Sequence, residues 1–155
     1  MNHIKDTIIH KEYMMRSALK MSEILIAEQK EELAMELLKR AAYHDNSKFD
    51  KDEAVSLSSI QCKKALIDPN INLSDEERKT IEQHWKKNRH HPEHFDDIEK
   101  MKEIDILEMV CDWHARSEQH KTNLIDFVLI RQENRFHFPE DMFEKILKYC
   151  KWMVK

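Results

Sequence analysis

Apolar side chains recur along this chain three and four positions apart, the spacing that collects them on one face of an α-helix. His10, Met14, Ser17 and Met21 share one such face, and Leu33, Leu37, Ala41 and His44 share another. Between Ile104 and Ala115 the pattern is denser. Apolar residues dominate, and Asp105, Glu108, Asp112 and Arg116 make a narrow polar seam. A surface helix carries a broad polar face, so this segment is expected to be buried with an acidic stripe inside it. No stretch alternates with the period of two that a half-buried strand requires.

These stripes predict six or seven helices: Ile4 to the mid-20s, Gln29–Tyr43, Asp50–Leu66, Ser74–Asn88, Lys102–Ser117, Leu124–Glu133, and a last one reaching Trp152. Asp50 with Glu53, and Ser74 with Glu77, have the form of capping boxes. Asp68-Pro69-Asn70 predicts a turn. His90 to Phe95 is expected to be loop, because Pro92 disfavours helix before it. Asn134 to Phe138 joins elements, and Pro139 opens the last helix in its first turn.

Composition narrows the picture. The chain of 155 residues has no glycine and three prolines. Tight hairpins lean on glycine, whereas helices do well without it. The expectation is an all-α fold, one compact helical domain over residues 1–155. The net charge of -4 argues against broad nucleic-acid binding, which needs a basic surface, but leaves room for a small phosphorylated substrate. No apolar run approaches the roughly 20 residues of a membrane span, and the N-terminus has no signal-peptide core. The three cysteines, Cys62, Cys111 and Cys150, form no CxxC pair and read as reduced thiols. A cytoplasmic protein is expected. Tyr149, Trp152 and Met153 serve either as core or as a homodimer contact.

The histidines carry the chemistry. Of ten in the chain, His84, His90, His91 and His94 fall in one stretch. His44-Asp45 lies upstream and Asp112 downstream. Imidazole and carboxylate are the ligands that suit Zn, Fe, Ni, Co and Mn. Taken singly, each residue has an ordinary explanation: a hydrogen-bonded core histidine, a solvated basic loop, an acidic seam paired with Arg116, a surface lysine at Lys48. His44 and His10, however, sit on inward stripes, and an inward imidazole needs a partner. An acidic seam in an interior must be neutralised by cations or metal.

In this order His10, His44-Asp45, the later histidines and Asp112 resemble the HD-domain superfamily of metal-dependent phosphohydrolases. More narrowly, His44-Asp45-Asn46-Ser47-Lys48-Phe49, then His84 with Asn88-Arg89-His90-His91, then Glu108 to Ala115 are similar to a family of small phage and bacterial proteins. Its motifs are HDxSKF, HxxxNxHH and EMxxDWxA, and its activity is not settled. The resemblance covers about residues 8 to 118. It implies a compact helical domain that binds one or two divalent transition-metal ions (Mn, Fe, Co, Ni or Zn). His10, His44, Asp45 and Asp112 match the set that holds one ion. Asp45 would bridge to a second ion held by His84 and either His90 or His91. Lys48 matches a substrate-facing lysine of HDxGK phosphodiesterases. Single-metal nucleotidases of the superfamily tend to carry glutamate there, so the lysine favours the two-metal branch. Ser47 replaces the glycine, and His91-Pro92-Glu93-His94-Phe95 stands in place of a GYP element, which argues against cyclic-dinucleotide specificity.

The expected function is metal-assisted hydrolysis of a nucleotide or related small phosphate ester. Asp45 and Lys48 would be catalytic, and Lys48, Asn88 and Arg89, with Lys87, would bind the substrate. Two alternatives stay open at this point: a di-iron oxygenase with the same ligand order, and a metal-free helical protein that binds a nucleotide or a protein.

Overall fold

The computed structural model describes residues 3–66 and 72–155. Among the described residues are seven α-helices and no strand, the all-α class expected. They are α1 (His3–Ala27), α2 (Glu31–Tyr43), α3 (Lys51–Leu66), α4 (Asp75–Lys87), α5 (Glu103–His120), α6 (Leu124–Arg131) and α7 (Glu140–Met153). None of the described helices is long and apolar enough to cross a membrane. The turn expected at Asp68-Pro69-Asn70 and the side chain of Cys62 lie outside the described residues.

α1 and α2 form an antiparallel hairpin. Ser22 Oγ donates to the Ala34 carbonyl at 3.3 Å, and Lys11 Nζ donates to the carbonyls of Ala42 and His44 at 3.3 and 2.7 Å. The late part of one helix therefore lies beside the early part of the other. α5 packs on α1 and α2, and α7 packs on α5, α1 and α6. Met14, Met21, Leu25, Leu37, Leu107, Val110 and Ile146 fill the space between, all fully buried. Tyr149 and Met153 are part of this core.

Several expected caps and boundaries differ, among them the end of α6, which falls at Arg131 rather than Glu133. Glu53 does not cap Asp50: the Asp50 N–H goes to the Ser47 carbonyl at 2.9 Å, and the buried Glu53 carboxylate is used elsewhere. Ser74 and Glu77 do form the reciprocal capping box. α5 runs to His120, past the last apolar position, because Lys121 supplies a left-handed stop there. Pro139 stands just before α7 rather than inside its first turn.

With no glycine available, Gln29, Asp45, Lys121 and His137 take up positive φ. The left-handed conformation costs an ordinary residue about 1–2 kcal/mol. Lys121 sits at φ 55, with no side-chain role in the core. Lys121→Gly should therefore stabilise the protein by about 0.5–1 kcal/mol, part of the gain being offset by glycine's larger unfolded-state entropy. Thermal unfolding tests this, with an increase of about 1–4 °C expected for a chain this size.

Asp105 closes the first turn of α5. It accepts from Arg40 at 2.7 Å, from Arg89 at 3.2 and 3.1 Å, and from the Lys102 N–H at 3.0 Å. Burial pushes its carboxyl up, but Arg89, Arg40 and the backbone donor outweigh that and hold it below the ordinary range. Its stabilisation is present above the unfolded carboxylate value of about 3.9 and is lost as pH falls through the folded one. Asp105→Asn should cost about 3–5 kcal/mol at neutral pH, as read from urea unfolding. An unchanged midpoint would remove Asp105 from the fold's supports.

Candidate metal centre

Four segments bring the histidines and aspartates together. His10 lies on the buried face of α1. α2 stops at Tyr43, His44 is extended at φ -49 and ψ 128, and Asp45 follows in the left-handed region at φ 55 and ψ 21. Aspartate is one of the few residues that enter this region readily, and such conformations cluster at functional positions. Lys11 braces the reversal by donating to the His44 carbonyl and to Asn46 Oδ1, both at 2.7 Å. His84 comes from the last turn of α4. His90 and His91 follow it in a turn that Pro92 continues as a short 3-10 segment. Asp112 comes from the acidic seam of α5.

Asp45 is the hub. Its Oδ2 lies 3.5 Å from His44 Nε2, and its Oδ1 lies 3.4 Å from His84 Nε2 and 3.5 Å from His90 Nε2. On the Oδ2 side, Asp112 Oδ1 is 2.7 Å from His10 Nε2 and 3.6 Å from His44 Nε2. On the Oδ1 side, His91 Nε2 is 3.1 Å from His84 Nε2. Ligand atoms bonded to one ion at about 2.1 Å stand about 3–3.5 Å apart, which is the separation seen here. Three ligand groups fit a cation: His10, His44 and Asp45; His44, His90 and Asp112; and Asp45, His84 and His91. They share members, and Asp45 belongs to two of them.

The far nitrogens of three imidazoles are held by carboxylates. His44 Nδ1 is 3.1 Å from Glu108 Oε1, His90 Nδ1 is 3.4 Å from the same oxygen, and His84 Nδ1 is 3.1 Å from Glu53 Oε2. This is how metal-bound histidines are held in general: the far N–H donates to a carboxylate, which fixes the tautomer and aims the other nitrogen at the ion. The aimed nitrogens find little else. His10 Nε2, His44 Nε2, His90 Nε2 and Asp45 Oδ1 are buried without a hydrogen-bond partner among the described residues. His10 Nε2 lies close to Asp112 but off the line a hydrogen bond needs. Such groups are costly to bury unless something satisfies them, and the donor set suits a divalent transition-metal ion.

The field is strongly anionic. Burial pushes the Asp45 carboxyl up, but His44, Lys48, His90 and His84 hold it well below the ordinary carboxylate range. Burial acts the same way on Asp112, and His10 and His44 overcome it. Burial pulls His44 down, yet Asp45, Asp112 and Glu108 raise it to about 10. The carboxylates that favour a proton on His44 favour a metal cation at the same place. Burial, with help from His90, pushes His91 well below its ordinary value, so its nitrogen is available as a neutral donor.

Of the residues expected at the site, His10, His44, Asp45, His84, His90, His91 and Asp112 converge. Lys48 is with them, its Nζ 2.5 Å from Asp45 Oδ2. Asn88 and Arg89 make supporting contacts beside this centre. Asn88 Nδ2 donates to the His84 carbonyl at 2.8 Å and to Ser47 Oγ at 3.1 Å, and Arg89 is held by Asp105 and stacked over Phe95. Both line a groove of about 250 Å³ with Arg40 and Glu108, behind the His44 and His90 rings. Lys87 is committed to Glu53 at 2.7 Å. His94 turns instead to the Trp85 carbonyl and Phe95. Glu53 was missed as a site residue; the signal was its i, i+7 spacing to Ile60, which is also buried.

No curated protein and no solved structure matches the chain. A match does exist at the level of family, over residues 1–151, and it takes in the whole constellation from His10 to Asp112: the chain belongs to the Family of unknown function (DUF5662).

Proposed function

We propose that this protein is a metal-dependent phosphohydrolase of the HD type, acting on a nucleotide or a related small phosphate ester. The observation that carries the reading is the convergence of His10, His44, His84 and His90 Nε2 atoms with Asp45 and Asp112 oxygens in a buried, partner-poor centre. The order of these residues resembles that of the HD superfamily, and the all-α fold is compatible with it. Asp45, His10, His44 and Asp112 would hold one divalent ion, and Asp45, His84 and His91 or His90 a second.

Bound there, a divalent ion supplies Lewis acidity and lowers the pKa of water from 15.7 toward about 7. The chain supplies the rest. Asp45, with one oxygen toward each half of the centre, is placed to orient an attacking water. Lys48 reaches the same carboxylate with an ammonium that is mostly but not fully buried, and from there it can steady a phosphoryl oxygen. The surrounding helices exclude bulk water, which strengthens each of these interactions.

The test is metal analysis of chelator-free protein, followed by a panel of nucleoside mono-, di- and triphosphates, cyclic nucleotides and generic phosphodiesters with Mn, Fe, Co, Ni and Zn. Stoichiometric metal and phosphate or phosphomonoester release are expected. Absence of any bound ion after add-back would overturn the reading. Oxygen consumption with bound iron and no phosphate release would replace hydrolysis with oxygenation.

A further inference from the structure

We infer that Glu108 is a positioning residue that couples the two halves of the centre, so that one carboxylate sets the metal affinity of both; this rests on the metal-centre reading above. The geometry is specific. A single oxygen, Glu108 Oε1, faces His44 Nδ1 at 3.1 Å and His90 Nδ1 at 3.4 Å. The two rings are neighbours, with centroids 4.2 Å apart. His44 aims its other nitrogen at the side of Asp45 and Asp112, and His90 aims its own at Asp45 Oδ1. The two imidazoles share one ligand group with Asp112, and His90 also lies beside the Asp45 oxygen that faces His84, so one support stands behind rings that reach both sides of Asp45.

Glu108 is itself fixed. Its Oε2 accepts from Arg40 Nη1 at 3.2 Å, and the same nitrogen bonds Asp105 at 2.7 Å. The carboxylate cannot swing to follow one histidine without leaving the arginine. Glu53 makes a contrast within the same molecule. It is anchored by Lys87 and Ser47 and, among the described residues, meets a single imidazole, His84. Removing Glu53 should loosen one half of the centre; removing Glu108 should loosen both.

Loss of a carboxylate behind a metal-bound histidine weakens the metal by about 10- to 100-fold. The experiment is calorimetric titration of Mn²⁺ into chelator-treated wild type, Glu53→Gln, Glu108→Gln and Glu108→Asp, with thermal unfolding of each apoprotein. Two binding events are expected in wild type. Glu53→Gln should weaken one of them by about 10- to 100-fold and spare the other, whereas Glu108→Gln should weaken both by that factor. Glu108→Asp keeps the charge beside Arg40 but withdraws the oxygen from the rings. It should bind both ions weakly at near-wild-type apoprotein stability. Wild-type affinity at either event in both Glu108 variants would overturn the inference, as would full rescue by aspartate, the result a purely structural anchor for Arg40 predicts. No Mn²⁺ uptake, or a single event, in wild type would overturn it too, and uptake failing altogether would take the metal-centre reading with it.

Discussion

Replacing Asp45 with asparagine should abolish stoichiometric binding of the second ion and lower phosphate-ester hydrolysis by about 10³-fold or more, while the helices stay intact. Asparagine is the informative substitution. Like aspartate it enters the left-handed region without a large penalty, so the φ 55 reversal after α2 survives. What disappears is the charge that His44, His84, His90 and Lys48 all face. Loss of one preorganised electrostatic group costs about 10²–10³ in rate, and Asp45 reaches both halves of the centre, so its loss should exceed that range. Lys48→Ala is the companion variant: it should leave metal content unchanged and slow turnover. Unaltered circular dichroism with wild-type hydrolysis by the Asp45→Asn protein would remove Asp45 from the chemistry.

Much of the scaffold was legible because helical periodicity is a strong signal in a chain without glycine. The stripe His10, Met14, Ser17 and Met21 is buried at every position, and the seam on α5 runs inward as the apolar density around it required. The seam's neutralisation was legible as a need but not in its division of labour. Asp105 is met by two arginines, Glu108 by two histidines and Arg40, and Asp112 by His10 and His44. Those partners come from α1, the α2 end and the turn after α4, and no local pattern in α5 specifies them.

Glu53 shows the same limit from the other direction. Three residues after an aspartate it has the form of a capping glutamate, and the local rule is sound. The long-range environment wins, because a buried carboxylate gains more from Ser47, His84 and Lys87 than from one backbone N–H. Their place in the motif gives Asn88 and Arg89 the look of substrate ligands. The structure uses them as supports: Asn88 ties the α4 end to Ser47, and Arg89 ties the following turn to Asp105. Spacing places a side chain on a face; it does not say whether that face looks at the reaction or at the back of its ligands.

Removing metal should lower the melting temperature by about 8–16 °C, and this is the prediction that separates a metal centre from a buried polar network of the same composition. The apoprotein keeps His44 Nε2, His90 Nε2 and Asp45 Oδ1 buried without hydrogen-bond partners, and each such group costs about 1–3 kcal/mol. An ion bound only by the folded state stabilises it by about 4 kcal/mol at 1,000 times its Kd. At about 2–4 °C per kcal/mol for a chain of this size, that gives the stated shift. Differential scanning calorimetry of chelator-treated protein, titrated back with Mn²⁺, Co²⁺ or Ni²⁺, measures it directly. The rise should grow with the logarithm of metal concentration and should shrink sharply in Asp45→Asn, where the residue shared by both halves has lost its charge. A wild-type melting temperature indifferent to chelator and to every added ion would mean that the carboxylates and imidazoles satisfy one another unaided, and that the centre evolved as a core rather than as a ligand set.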